Sequence, residues 1–452
     1  MKPINFILAL TLLAACGQPS GNSSTSDSHI AADGQTTAEL QHLAEQYVRL
    51  GLTVGLYDGD FVDAYYGPDS LKPAARPVTD SASFPKDSLL AAVKQLSQQL
   101  DSVRQKTAGG DSATKMLSQR AAWMQSQLTA FDRRIRIFSG ELSGFDEESK
   151  GLFGVVAPQK SEAELKTLVA KLDSTLPGKG NVGARFQQLA NRFIIPKTRL
   201  DTVFKTAIAE CRKRTLQHYS LPPSESFTLE YVNNKPWNGY NWYKGNYRSV
   251  IQINTDIQIF IDRAIDVGSH ESYPGHHVYN MLLEKNLYRD RGWVEISLYP
   301  LFSPQSLIAE GSANYGISLV FPGEEKVAFA REKLLPLAGL DTTGIAAYFR
   351  ALEIKDELNY ARNEAARGLI NGTMTEAAAK QWMMSYALMN EETAAKSVSF
   401  IRRNRSYVIN YNYGKDLVRQ YIERPGAGPD ERWTRFGLLL SNPVTPGEMG
   451  GK

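Results

Sequence analysis

The stretch from Val267 to Asn280 reads Val-Gly-Ser-His-Glu-Ser-Tyr-Pro-Gly-His-His-Val-Tyr-Asn, and it holds three of the chain's six histidines. Two imidazoles with a carboxylate beside them suit a borderline cation such as zinc, which takes neutral imidazole nitrogen and carboxylate oxygen. An unbroken helix cannot deliver that set. His276 lies six residues after His270, roughly 120° away around a helix, and His277 lies about 10 Å further along the axis. Pro274 removes the conflict, because its ring clashes with the carbonyl four residues back, that of His270, and so kinks or ends the helix. Gly275 then permits a backbone that a residue with a Cβ resists. The expectation is a broken helix whose second imidazole folds back on the first.

Glu271 is placed to act on water beside a metal, taking its proton and passing it to a leaving amine. His270-Glu271-Ser-Tyr-Pro-Gly-His276 resembles the His-Glu-x-x-Pro-Gly-His signature of a large bacterial family of uncharacterised, mostly helical, often lipid-anchored proteins grouped with the gluzincin metallopeptidases. The resemblance implies zinc held by His270 and His276, with a Glu on a later helix as third ligand. Glu310-Gly311-Ser312-Ala313-Asn314-Tyr315 matches the family's downstream Glu-Gly-Trp-Ala-x-Tyr, which makes Glu310 that ligand, with Ser312 where the family has Trp. His277 stays open as an alternative or fourth ligand, and a fourth protein ligand would make the site structural. Asn314, one helical turn past Glu310, is placed to orient a ligating imidazole.

The resemblance implies a mainly α, multi-helix gluzincin-like metallopeptidase fold with a small antiparallel β-sheet beside the metal helix. Phe227 to Val232 and Arg248 to Ile253 carry the branched and aromatic residues of strands. A substrate-pairing role for the strand around Val250 and Gln252 follows from the resemblance. The connection between them, Trp237 to Tyr247, is rich in aromatic residues, Gly and Asn, and reads either as packing over a helix or as a stacking surface to which Trp242 contributes. Asp256 to Ser269 should be the helix carrying His270, and Val278 to Glu284 its continuation.

Helices are also expected over a hairpin from Lys86 to about Gly140, broken at Gly109-Gly110. Its second half carries an apolar stripe at Leu117, Ala121, Met124, Leu128, Phe131, Ile135 and Phe138. Further helices are expected at Glu162 to Leu172, Val182 to Arg192 and Lys197 to Tyr219, and again from Glu324 to Glu423. Near the end, Tyr411 and Gly414-Lys415 resemble the family's Tyr-x-x-Gly-Lys segment. Tyr411 is the expected hydroxyl donor to an oxyanion, and Arg405 is a candidate clamp for a substrate carboxylate. Ile370 stands where many relatives have a His.

Residues 1–15 read as a signal peptide, and Leu13-Ala14-Ala15-Cys16 resembles the bacterial lipobox, implying a lipid on Cys16 that holds the protein to a membrane of the cell envelope. Residues 16–37 are polar and read as a tether. Residues 38–452 then form one large domain, helical over 38–221, with the sheet and metal site in 222–452. With Cys16 acylated, Cys211 alone remains, so no intrachain disulfide is available. A formal net charge of +3 without a long basic run excludes nucleic acid as a partner. Hydrolysis of a peptide substrate with Zn2+ as cofactor is the activity expected; a lipoprotein binding glycans or peptides, with a structural metal or none, is the alternative from another class.

Overall fold

The computed structural model describes residues 24–74, 84–235 and 237–450. The signal peptide and Cys16 lie outside the described residues. The first helix, Ser24–Gly55, begins well before Ala38, so its N-terminal turns take up part of the stretch read as a tether. Its apolar positions Leu40, Leu43, Tyr47 and Leu50 fall on one face and are buried.

The expected helical hairpin is present as Lys86–Lys106 and Ser112–Phe138, packed together and against the first helix. Asp111 caps the second helix by accepting from the Thr114 N–H at 2.9 Å. Along that helix Ala121, Met124, Leu128, Phe131 and Ile135 are sealed, but Phe138 is 42% exposed, because the helix ends there and its last turn leaves the core. Glu162–Thr175, Val182–Ala190 and Leu200–Thr215 supply the next helices, the first closed by a full capping box of Ser161 and Glu164.

Among the described residues five short strands interrupt the helices. β1 (Val62–Tyr65) pairs antiparallel with β5 (Leu298–Pro300). The segment around Asp63 is thus a strand, not the loop or short turn of helix that its sequence suggests. β2 (Ser226–Val232), β3 (Gly239–Tyr243) and β4 (Arg248–Asn254) form a sheet in the order β2-β4-β3. β2 and β4 run parallel, while β3 and β4 run antiparallel, so the sheet is mixed where an antiparallel one was expected. The aromatic connection folds as β3 itself. β4 is consequently the middle strand, with Val250 and Gln252 opposite Thr228 and Glu230 on one side and Trp242 and Tyr240 on the other. Its backbone is used up within the sheet, and the substrate-pairing role expected at Val250 and Gln252 is not available to it. The two edges of the sheet are β2 and β3, of which β3 lies beside the His270 helix.

Ion pairs tie distant parts of the chain together: Arg120 with Glu295 and Arg134 with Asp58, both buried, and the half-buried Arg405 with the sealed Glu148. Asp58 and Asp60, which could be read as calcium ligands, are engaged by Arg134 and Arg403. Among the described residues no helix is long and apolar enough to cross a membrane.

Candidate metal centre

The His270 helix begins at Ile261, five residues later than its composition suggests, because Phe260 is extended and bridges to Ile194. It runs through Glu271 and stops at Ser272; a second helix starts at His276 and ends at Leu283. The break before His276 is what the Pro-Gly pair predicts, but the role of Gly275 is spatial. Its φ of −75° is open to any residue, while a Cβ there would lie 1.8 Å from the His270 carbonyl oxygen and 2.4 Å from that of Ser269. Only a residue without a side chain lets the chain turn back across the end of the helix.

That turn brings the His270 and His276 Nε2 atoms to 3.1 Å. Glu310 arrives from a separate helix, Pro304–Val320, which is started by Ser303 as N-cap with Pro304 in its first turn. Its Oε2 lies 3.4 Å from His270 Nε2 and 3.8 Å from His276 Nε2. Donors held tetrahedrally about 2.05 Å from one ion stand roughly 3.3 Å apart. The triangle's edges of 3.1, 3.4 and 3.8 Å lie around that spacing. Glu310 Oε2 is moreover buried without a hydrogen-bond partner, a condition a bound cation relieves.

The surroundings prepare the three donors. Asn314, on the Glu310 helix, places its Oδ1 3.1 Å from His270 Nδ1. That contact assigns the proton to Nδ1 and leaves the Nε2 lone pair free for the centre. Tyr407 donates its hydroxyl to Glu310 Oε1 at 3.0 Å. Burial, followed by the nearby His270, pulls the His276 imidazole down to about 4, so it stays neutral and able to ligate. Burial also disfavours the His270 cation, but the adjacent Glu310 carboxylate and the charge of Glu271 outweigh it and raise that group. For Glu310 the same balance runs the other way: burial resists ionisation, and the His270, His276 and Tyr407 contacts overcome it, lowering its pKa.

His277 is turned away. It is fully buried, with Nδ1 2.8 Å from Ser249 Oγ and Nε2 3.0 Å from Glu225 Oε2. Both ring nitrogens are engaged, so three protein donors face the centre and not four.

Glu271 is buried beside the triad, and burial pushes its carboxyl up to about 7. Its backbone carbonyl accepts from Asn241 Nδ2 at 2.6 Å, which fixes the helix end against β3. Gly239 permits that approach, since a Cβ there would meet Val267 Cγ1 at 2.8 Å and Glu271 Oε1 at 3.3 Å. A cleft of about 2890 Å³ opens over these groups and is lined also by Asp63, Tyr240, Trp242, Arg362 and Tyr411. Trp242 packs edge-on against Trp237 and at a tilt against Tyr240, with centroids 6.0 and 4.6 Å away, and donates its indole N–H to Gln252.

Tyr411 lines the cleft, and Asn314 Nδ2 donates to its backbone carbonyl at 3.1 Å. Arg405 does not reach the cleft: its guanidinium pairs with the sealed Glu148, whose carboxylate also takes the Ser406 N–H and hydroxyl. The expected carboxylate clamp is a structural pair, and its partner, 257 positions away in sequence, could not be foreseen.

Two site residues escaped sequence reasoning. Tyr407 stands four positions before Tyr411, a spacing that could have drawn attention to it. Asp63, from β1, accepts a short hydrogen bond from Tyr240, and burial raises its carboxyl to about 6. Nothing local in the sequence marked it.

No protein-family model matches the chain, and no curated protein matches it. Two solved structures do. One is described as "the putative lipoprotein from Colwellia psychrerythraea", with a TM-score of 0.50 and 15% identity over 81% of this chain and 68% of that one. The chain shares its fold with a bacterial protein so described. The other is "a putative lipoprotein of unknown function from Shewanella oneidensis", with a TM-score of 0.49 and 13% identity over 81% and 72% of the two chains.

Proposed function

We propose that this protein is a zinc-dependent peptidase of the gluzincin type, held at the bacterial cell envelope by a lipid on Cys16. The observation that supports the reading is the donor triangle of His270, His276 and Glu310, with edges of 3.1, 3.4 and 3.8 Å and a second carboxylate, Glu271, beside it. A zinc ion held there would supply Lewis acidity, polarising a substrate carbonyl and acidifying a water.

The chain's own groups do the rest. Glu271, with its carboxyl near 7, takes a proton from the attacking water and returns it to the leaving amine, a role suited to a group whose pKa lies near the working pH. Tyr411 donates its hydroxyl to the carbonyl oxygen as negative charge gathers there. The free edge of β3, pinned to the Glu271 helix through Asn241, offers its backbone to an extended peptide. The aromatic group of Trp237, Tyr240 and Trp242 covers the side chains of what binds.

The alternative is a non-catalytic binding lipoprotein, favoured by that same aromatic group. A structural zinc is closed by four protein ligands, and His277, the nearest candidate for the fourth, is committed to Ser249 and Glu225. The deciding experiment measures bound metals by mass spectrometry in protein expressed from Gly17 onward without a histidine tag, beside His270→Ala, and screens a peptide library with Glu271→Gln as control. About one zinc per chain, lost in His270→Ala, with cleavage abolished but zinc kept in Glu271→Gln, is the expected result. Absence of stoichiometric zinc after titration refutes the reading.

A further inference from the structure

The cleft carries several cations, and most are spoken for. Arg403 is paired with Asp60 at 2.6 Å, Lys415 with Asp356 at 2.6 Å, Lys396 with Glu392 at 2.7 Å and Arg419 with Asp416 at 3.2 Å. Arg362, on the helix Tyr360–Ile370, is different. Its side chain has no carboxylate and no hydrogen-bond partner among the described residues, and its Nε is sealed from solvent unpaired. The guanidinium is held by ring faces alone, 4.5 Å from the Phe400 centroid and 6.0 Å from that of Tyr411. Lys355 also lacks an ion pair, but its contacts are Phe186 and the charge of Asp262, away from the triad's own partners.

A guanidinium stays charged in proteins, and this one, half-buried in the cleft wall with its Nε sealed, has no anion among the described residues to balance it. Such a group is explained when a ligand supplies the missing anion. Arg362 lines the same cleft as the triad and is linked to it: Tyr411, over whose ring its guanidinium lies, is joined through its backbone and Asn314 to His270 by two contacts of 3.1 Å. Two aromatic faces fix the plane of the fork, so little ordering is left to be done when a flat anion docks edge-on. The acidic groups across the cleft, Asp63, Glu271 and Glu310, disfavour a multiply charged ligand and leave a single carboxylate as the anion that fits.

We propose that Arg362 docks the carboxylate of the substrate, and that this carboxylate is the free C-terminus of a peptide, so that the protein releases short fragments from carboxyl ends. This rests on the peptidase reading and gives it a substrate class.

The test uses zinc-loaded Glu271→Gln protein, which binds without turning over, and calorimetric titration with acetylated tripeptides ending in Phe. Three probes are compared: the free acid, the C-terminal amide, and an amide carrying Asp at the second position. The free acid should bind at least about tenfold tighter than the amide, as a charge-assisted bidentate pair implies. Arg362→Gln should erase that difference, and Arg362→Lys should keep only part of it. Thermal unfolding of both variants checks the fold, and the Lys variant carries the test if the Gln variant does not fold.

Equal binding of acid and amide, or a preference that survives in Arg362→Gln, overturns the proposal. Tight binding of the Asp amide equal to that of the acid overturns the terminal assignment and moves it to acidic side chains. A carboxylate preference without hydrolysis by the Glu271 protein would instead fail the peptidase reading and leave the docking role of Arg362 in place. Hydrolysis indifferent to the terminal carboxylate fails this inference alone.

Discussion

On the proposed function, Tyr407→Phe separates a residue that holds a proposed metal ligand from one, Tyr411, proposed to meet the substrate. The hydroxyl of Tyr407 donates to Glu310 Oε1 at 3.0 Å and accepts from Ser306 Oγ at 3.1 Å. Tyr407 is 5% exposed and Glu310 8%, so water does not replace the bond when it is removed. A hydrogen bond to a charged group contributes about 1.5–3 kcal/mol, and partners that orient a ligand change metal affinity by about 10–100-fold. At about 1.4 kcal/mol per tenfold the two figures agree. Phe keeps the ring contacts with Phe153, Phe302 and Tyr411 at 6.0, 5.9 and 5.8 Å, so packing survives. Zinc affinity, measured by competition against a chromogenic chelator at pH 7.5, should therefore fall by about 10–100-fold. With its Tyr407 donor gone, the metal-free Glu310 carboxyl takes up a proton more readily, so the deficit should grow as pH falls. Tyr411→Phe, whose hydroxyl makes no such bond to Glu310, should leave zinc affinity within about twofold while lowering turnover. An unchanged zinc affinity in Tyr407→Phe, or an equal loss in Tyr411→Phe, would refute the reasoning.

Asn314→Ala should keep the ligands but weaken zinc by about tenfold or more, since His270 loses the partner that fixes its tautomer; an unaltered chelator competition curve would argue against it. Gly311→Ala should destabilise the fold by about 1–3 kcal/mol or prevent it, because the new Cβ would stand 2.4 Å from the Gly414 carbonyl group; urea unfolding measures this, and a wild-type midpoint would contradict the packing. Burial opposes ionisation of Glu225, but the hydrogen bonds from His277, Tyr273 and Arg212 prevail and hold its carboxyl at about 2. A depressed carboxyl contributes stability above its unfolded pKa of about 4.5 that is lost as pH falls toward 2. Urea unfolding at a series of pH values should show that decline, and Glu225→Gln should flatten it.

The three donors that meet in the structure, His270, His276 and Glu310, were legible because each of them sits in a short motif whose constraint is local. Pro274 and Gly275 announce a helix break, and a break is what six-residue spacing needs to bring two imidazoles together. Glu310 and Asn314 share a helix face by spacing alone. What the sequence hid was pairing across distance. Arg405 and Glu148 meet through tertiary packing, and so do Asp63 and Tyr240. The order of strands was hidden for the same reason: β2 and β4 read correctly as strands, yet their parallel pairing depends on β3 turning to the far side of β4, and that choice is made by packing against the His270 helix. Gly275 was placed correctly for a different reason from the one its φ supplies.

Two glycines without any chemistry decide where the carboxylate of the site stands. Gly311 follows Glu310 directly, and Gly414 lies where the helix Ile409–Ile422 crosses it, its own Cβ position 2.8 Å from the Leu307 carbonyl oxygen. Tyr407 leads into that second helix, so the crossing sets the distance between Glu310 and the hydroxyl that holds it. Every amino-acid replacement at a glycine codon begins with the same added carbon. At these two codons, therefore, mutation offers no graded series: the first step already forces the helices apart. The side chains that line the site can be exchanged for near neighbours and tested one by one by natural variation, whereas the crossing can only be kept or lost.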